Sequence, residues 1–246
     1  MPDFLQPAWP APHSVQAIQT LRSGGCSATP WNSFNLGDHV GDDPVCVNAN
    51  RVALGNFLPA APTWLKQVHG TATVDAAFST KMLGADAVFT NQPGQVCAVM
   101  TADCLPVLFC NRAGTVVAAA HAGWRGLAAG VLEACLAKMA VSPSEILAWL
   151  GPAIGPQCFE VGDEVRATFT AHTPEAELAF QAHAEGKWLA DIYLLARQRL
   201  QQVGVNAIYG GEFCTVSEPK KFFSYRRDGI TGRMASLIWI DHKSSV

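Results

Sequence analysis

The sequence predicts an α/β fold, a layered body of mixed β-sheet flanked by helices. Three observations carry that expectation. Short apolar runs separated by Gly- or Asp-containing turns crowd residues 63–121, with hairpin-like spacing unlike that of a parallel doubly wound sheet. Apolar residues then recur at helical spacing over 127–140 and 189–204. Strands with helices following them imply layers of both kinds around one core.

Residues 1–15 carry Pro2, Pro7, Pro10 and Pro12, which interrupt regular structure, and read as a loosely fixed lead. Residues 15–25 read as a strand entering a turn. Ser27 to Pro44 is rich in Asn, Asp and Gly, whose side chains bond to the backbone or tolerate unusual φ, so a long loop is expected. Residues 45–58 show helical spacing at Val47, Val52 and Leu54 after a cap near Asp43. Strands are expected at Thr63–Val68, Ala72–Val74, Ala87–Thr90, Val96–Thr101, Pro106–Asn111 and Thr115–His121. Over 127–140, Leu127, Val131, Leu132, Cys135 and Met139 fall along one side of a helix. A strand at Ile146–Leu150, the loop GPAIGPQC and a helix starting near Val161 follow. The helix over 189–204 stops at Gly204, and Val205–Tyr209 supplies a short strand. Met234–Ile240 is apolar on both faces, which predicts a central rather than an edge strand.

A chain of 246 residues, 49% of them apolar and 15% charged, can bury a large core in one domain or split into two small ones. The net charge of −3, with Lys and Arg scattered, provides no basic stripe for a nucleic acid. No 18-residue uncharged apolar stretch occurs, and the first residues lack a basic start followed by an apolar run. No membrane partner, a cytoplasmic location, and a monomer or small homo-oligomer are therefore expected. Of the eight cysteines, Cys97, Cys110 and Cys135 lie inside apolar segments, where a thiol is a small hydrophobe. No CxxC pair exists to support a thiol-redox motif or a four-cysteine zinc site. GLAAG at 126–130 lies within a predicted helix and is no nucleotide fingerprint.

Three residues stand where apolar runs give way to turns: His69 in TWLKQVHG, Cys104 in VCAVMTADC and His121 in TVVAAAHAGWRG. Taken singly, each reads as a hydrogen-bonded structural histidine or a buried thiol. Together they make a soft ligand set for a zinc-type ion, with a fourth position open to water or substrate. Their spacings of 35 and 17 residues exclude a local zinc knuckle and require a site assembled by tertiary structure. In HAGWRG, Gly123 and Gly126 allow close approach of a ligand. The N–H groups opening the next helix, with Arg125, could cradle an anion.

The runs QVHG (67–70), GADAVFT (84–90), TADCLPVLF (101–109), AAAHAGWRG (118–126) and GPAIGPQCFEVGDEV (151–165) resemble the YfiH family of laccase-domain proteins. NLGDHVGDDP (35–44) and FFSYRRDGITGRMASLIWI (222–240) are similar to its first and last blocks. That family is also described as multicopper polyphenol oxidases and as purine nucleoside phosphorylases. The resemblance implies a single domain over residues 1–246, a layered sandwich of mixed β-sheets flanked by helices, with a single zinc held here by His69, Cys104 and His121. It implies phosphorolysis of adenosine, inosine and S-methyl-5'-thioadenosine, together with adenosine deamination.

Those activities suggest further roles. Deamination needs a water activated by the metal and a proton shuttle, for which Asp103 is the first candidate and Glu160 the second. Phosphorolysis needs a phosphate site, for which Arg125, Arg226 and Arg227 are candidates because a guanidinium fork can give two bonds at once. The ordinary alternative is that these arginines cap a helix or pair with Asp228. Ser33, Asn35, Lys66 and Gln67 resemble family positions lining the pocket and are expected to contact substrate, although loop polar groups are often turn caps. Phe223, Tyr225 and Trp124 could stack on a purine or simply pack in the core. Cys158 and Cys214 show no basic partner nearby that would make either a nucleophile.

Competing readings remain. A copper-dependent polyphenol oxidase with a multicopper centre needs many histidines. This chain has seven and no His-x-His pair; His13 and His242 lie near the ends and His172 and His183 in predicted helical or linker sequence. One bound copper stays compatible with the ligand set. A cysteine hydrolase using Cys104 with His121 would need a thiolate not engaged by metal. The resemblance also extends to editing of peptidoglycan precursors. A non-enzymatic interaction protein accounts poorly for three potential ligands at strand ends beside glycines.

Overall fold

Leu105, Val107 and Phe109 alternate with Leu108 and Cys110 along one extended run, so both faces of that strand must be covered. The computed structural model, which describes residues 1–78 and 84–242, covers one face with a second sheet and the other with helices. The first half of the chain forms β1 (Phe4–Leu5), β2 (Val15–Thr20), α1 (Pro44–Gly55), β3 (Pro62–Thr63), β4 (Thr73–Asp75), β5 (Ala87–Thr90), β6 (Val96–Thr101), β7 (Leu105–Asn111) and β8 (Val117–Ala122). There follow α2 (Trp124–Ala129), α3 (Val131–Met139), β9 (Ile146–Leu150), β10 (Glu160–Gly162), α4 (Asp163–Thr170), β11 (Phe180–Ala184), β12 (Lys187–Ala190) and α5 (Ile192–Gln202). β13 (Ala207–Gly210), α6 (Tyr225–Asp228) and β14 (Met234–Ile240) complete the fold.

Six strands make one sheet in the order β13-β9-β7-β8-β5-β4, and five make another, β1-β2-β14-β6-β3. Both are mixed, with parallel pairs β13–β9, β4–β5 and β3–β6 among antiparallel ones. A small third sheet runs β10-β12-β11. Cys97, Val99 and Ile238 of the five-stranded sheet face Leu108, Val117 and Trp149 of the six-stranded one. On the far side of the larger sheet, Leu105, Val107 and Phe109 pack with Leu127, Val131 and Leu132, and with Ile192 and Leu195 of α5. Val96, Ala98 and Leu237 pack outward with Leu54 of α1. Burying each such side chain contributes about 1.5–3 kcal/mol relative to exposure. The expected single-domain α/β sandwich is therefore the observed architecture, with β14 central as its two apolar faces require. Among the described residues no helix is long and apolar enough to cross a membrane.

Several expected boundaries shift for local reasons. The helix expected over 127–140 is two helices, broken at Gly130, whose φ of 98° suits glycine. The helix expected over 189–204 begins at Ile192, because Asp191 caps it by accepting the Leu194 N–H, while Leu189 and Ala190 complete β12. The strand expected over Thr63–Val68 shrinks to Pro62–Thr63 and a bridge at Lys66, since the Val68 N–H goes to the Asp86 carboxylate instead of a neighbouring strand. Near Val161 the chain first pairs as β10 with β12 and turns helical only at Asp163. In α1 the Asp43 cap is present, but Val52 faces outward and Asn50 is buried in its place. The proline-rich lead contributes β1, where Phe4 and Leu5 pair with Thr20 and Gln19.

Candidate metal centre

Strand register brings the three ligands together. Across the β7–β8 ladder Leu105 pairs with Ala122, so Cys104, one residue earlier, arrives beside Gly123. Across the β5–β8 ladder Ala87 pairs with Ala120, so Asp86 arrives beside His121, and its carbonyl accepts the His121 N–H at 2.6 Å. His69 comes from the loop before β4. The ligand atoms of His69, Cys104 and His121 all lie within 4.8 Å of one another, and among the described residues they are the one such cluster. Cys104 Sγ is 3.9 Å from His69 Nε2.

Asp86 organises the cluster although it ligates nothing. Its carboxylate, fully buried, faces His121 Nδ1 at 2.8 Å and accepts the backbone N–H groups of Val68, His69 and Gly70 at 3.1, 2.9 and 2.7 Å. Those three bonds hold His69 in the left-handed region, at φ 60°. Binding Nδ1 of His121 leaves Nε2 as that ring's ligand atom, the usual outer partner arrangement of a metal-bound imidazole. The two imidazole rings stand edge to face, 4.9 Å apart at 75°.

Charge at the site is poised for a metal. Burial alone would raise the Cys104 thiol, but the two histidines outweigh it and bring the pKa down to about 6. His121 would be lowered by burial, yet Cys104 and Asp86 raise it above its ordinary value. At neutral pH this is a thiolate beside an imidazolium, whose proton a divalent ion would displace. A tetrahedral zinc with one sulfur and two nitrogen ligands spaces its donors about 3.5 Å apart, which this donor set can meet. The residues fit the ion.

Two cavities adjoin at the cluster. The larger, about 430 Å³, is bounded by His69, Cys104 and His121 together with Gln67, His39 and Arg233. The smaller, about 310 Å³, is bounded by Trp124, Ile154, Phe159 and Ile192 on its apolar side, with Asp103 and Arg125. Tyr225 borders both. Gln67 is locked to the end of β6 by paired 2.8 Å bonds between its amide and the Met100 backbone.

The other residues singled out in the sequence scatter. Asp103, at φ 97°, accepts the Thr215 hydroxyl at 2.5 Å and the Arg226 N–H at 2.6 Å, so its carboxylate ties the start of α6 to the cavity wall. Glu160 is exposed, 3.6 Å from His183, and borders neither cavity. Arg125 lies 4.4 Å over the Trp124 ring. Arg226 borders the smaller cavity but directs its guanidinium to the carbonyls of Cys158 and Glu160. Arg227 is spent on the carbonyls of Thr215, Val216 and Phe222 and on Asp228, which pins the 215–222 loop.

Ser33 lies in a separate surface recess with Arg22 and Lys220, and Lys66 is exposed away from both cavities. Asn35 is buried and accepts the Arg233 N–H at 2.8 Å, so it shapes the site one residue removed. Phe223 is core. Cys214 accepts the Gly155 N–H at 3.3 Å. Sequence reasoning missed Asp86, Arg233 and His39. Asp86 offered one signal, a carboxylate set between Ala85 and an apolar strand.

Comparison with known proteins adds an independent finding. Residues 16–241 match the family described as multi-copper polyphenol oxidoreductase laccase. The chain is 57% identical over 246 residues to the purine nucleoside phosphorylase YfiH of Escherichia coli K12, covering 98% of this chain and 100% of that one. A Pseudomonas aeruginosa protein also described as a purine nucleoside phosphorylase is 56% identical, with 96% and 98% covered. A crystal structure of a Neisseria meningitidis protein superposes with a TM-score of 0.95 at 53% identity, covering 97% of this chain and 99% of that one. YlmD from Geobacillus stearothermophilus has a TM-score of 0.89 at 34% identity, covering 97% and 96%.

Proposed function

The chain belongs to the YfiH family, matched by the laccase-type multi-copper polyphenol oxidoreductase description, and from that premise we propose that it is a zinc-dependent purine nucleoside phosphorylase. Its substrates under this reading are adenosine, inosine and S-methyl-5'-thioadenosine, with adenosine deamination as a second activity. The observation that carries it is the clustering of His69, Cys104 and His121 where two cavities adjoin, in a chain whose near relatives are described as purine nucleoside phosphorylases.

His69, Cys104 and His121 would hold the zinc, which supplies a Lewis acid when bound. Asp86 orients His121 and shapes the loop of His69. The apolar wall of the smaller cavity, with Trp124 and Tyr225, suits a purine ring, and the Arg125 guanidinium over Trp124 adds a polar contact at its edge. Asp103 is the carboxylate on that wall and is our choice for moving the proton in deamination. Glu160, Ser33, Lys66 and Arg227 receive no substrate contact in this reading, because their side chains lie off both cavities.

Base release from inosine and adenosine, measured with and without phosphate on protein loaded with zinc alone, tests the proposal. Phosphate-dependent release of the base is expected. Deamination without any base release would leave the phosphorylase reading without support. Adenosine deamination that persists in an Asp103→Asn variant with zinc still bound removes Asp103 from the proton transfer.

One further reading has its own observation. The Cys104 thiolate, His121 and Asp86 stand in the order nucleophile, base and orienting carboxylate that a cysteine hydrolase uses. A chelator discriminates: it abolishes a zinc-dependent reaction and spares or activates a thiolate-dependent one. For the polyphenol oxidase reading, the discriminator is phenol oxidation by copper-loaded protein that zinc-loaded protein lacks.

A further inference from the structure

Arg233 borders the larger cavity and is held in place by its surroundings. Its N–H is held by Asn35 at 2.8 Å and its carbonyl accepts the Leu36 N–H at 3.1 Å. Its stem packs on Gly37, where an added Cβ would come within 2.8 Å of Arg233 Cγ. One guanidinium nitrogen, Nη1, is spent on the carbonyls of Thr231 and Gly232 at 3.0 and 3.1 Å. Nε and Nη2 have no hydrogen-bond partner among the described residues. Among the described residues no carboxylate borders this cavity, and besides Arg233 and the two histidines of the metal cluster the basic side chain on it is the exposed His39. Asp38 approaches His39 Nδ1 at 3.4 Å but is shared with Arg51 at 3.3 Å, which leaves the His39 Nε2 edge available to a ligand.

The other arginines of the site are differently employed. Arg125 lies over Trp124 beside the smaller cavity, Arg226 serves two carbonyls, and Arg227 serves the 215–222 loop and Asp228. An oxyanion entering the larger cavity therefore meets a pre-oriented planar cation with two donors available, the geometry that suits phosphate.

We propose that Arg233, assisted by His39, is the seat for inorganic phosphate in the larger cavity, while the smaller, apolar cavity takes the purine. This rests on the phosphorolysis reading above. In that reaction a phosphate oxygen bonds to ribose C1 as the bond from C1 to the base nitrogen breaks. The electron pair leaves with the base, which takes up the proton that hydrogen phosphate brought. Two cavities adjoining at His69, Cys104 and Tyr225 put the entering oxygen and the departing base on different sides of the sugar.

Calorimetric titration of zinc-loaded protein with inorganic phosphate tests the seat, in wild type and in Arg233→Gln, Arg233→Lys, His39→Ala and Arg125→Ala. Phosphate affinity is expected to fall roughly tenfold or more in Arg233→Gln, by less in Arg233→Lys and His39→Ala, and little in Arg125→Ala. In inosine turnover the KM for phosphate should follow the same order, while the KM for inosine holds in the Arg233 and His39 variants. His39 is exposed, so its variant reports even if Arg233→Gln folds poorly. Phosphate binding lost in Arg125→Ala and kept in the Arg233 and His39 variants overturns the assignment. Phosphate binding that tracks Arg233 in a protein with no phosphate-dependent base release supports the seat and removes the phosphorylase reading instead.

Discussion

Asp86 and His121 face each other at 2.8 Å, and the same carboxylate takes three successive N–H groups from the loop of His69. One buried side chain thus positions two of the three ligands. Replacing it with Ala leaves those donors and the His121 ring unsatisfied. Asp86→Ala should weaken zinc binding by about 10–100-fold and destabilise the fold by roughly 3 kcal/mol. Competition against a chelating dye reads the first effect and urea denaturation the second. Unchanged zinc affinity in a folded variant would falsify the organising role.

Asp86 also predicts a pH dependence. Burial pushes its carboxyl up, but His121 and the N–H groups of Gly70 and Val68 outweigh burial and hold it below the ordinary 3.8. A carboxyl depressed in the folded state adds stability that is complete above its unfolded pKa and is lost as pH falls through the folded one. Zinc-free wild type should therefore lose stability on acidification below about pH 4 more steeply than Asp86→Asn. Urea midpoints measured from about pH 5 down to about pH 3 would show it, and parallel curves would refute it.

Gly123 matters for what it lacks. An added Cβ there would stand 2.8 Å from His69 Cδ2 and 3.1 Å from Cys104 Sγ, inside normal contact. Its φ of −59° is open to any residue, so the backbone carries no extra strain. Gly123→Ala should keep its far-UV circular dichroism while zinc affinity drops roughly tenfold, because the ring and the sulfur must separate. Full zinc occupancy at wild-type affinity would mean that the ligands yield without cost.

Cys104 should betray its thiolate once zinc is stripped. With a pKa of about 6 instead of the ordinary 9.0, it should be alkylated by iodoacetamide at a rate that levels off above about pH 7. Zinc should protect it. His121→Gln removes the leading favourable charge, so the midpoint of the rate profile should move up toward 9.0. A profile unmoved by that substitution would assign the depression to another group.

Much of the site could be read along the chain because its ligands sit at junctions. His69, Cys104 and His121 each interrupt an apolar run next to a turn, a pattern that short windows reveal. The Asp43 cap, the helical face of Val131, Leu132, Cys135 and Met139, and the two apolar faces of Met234–Ile240 are local in the same sense. Asp86 and Arg233 escaped notice for the opposite reason. Asp86 gains its role only when β5 pairs with β8, and Arg233 only when Asn35, 198 residues earlier, accepts its N–H.

Residue chemistry and periodicity alone thus specified the layered α/β architecture and offered His69, Cys104 and His121 as a candidate soft-metal set, since both depend on side-chain type and on repeats of two or 3.6 residues. Which polar groups surround the cluster depended on register and loop packing. A shift of one residue between β7 and β8 would carry Cys104 away from Gly123 and turn His121 to the other face. Long-range pairing therefore chose Asp86 as the orienting carboxylate, withdrew Glu160 and Arg227 to other partners, and set Arg233 on the cavity wall.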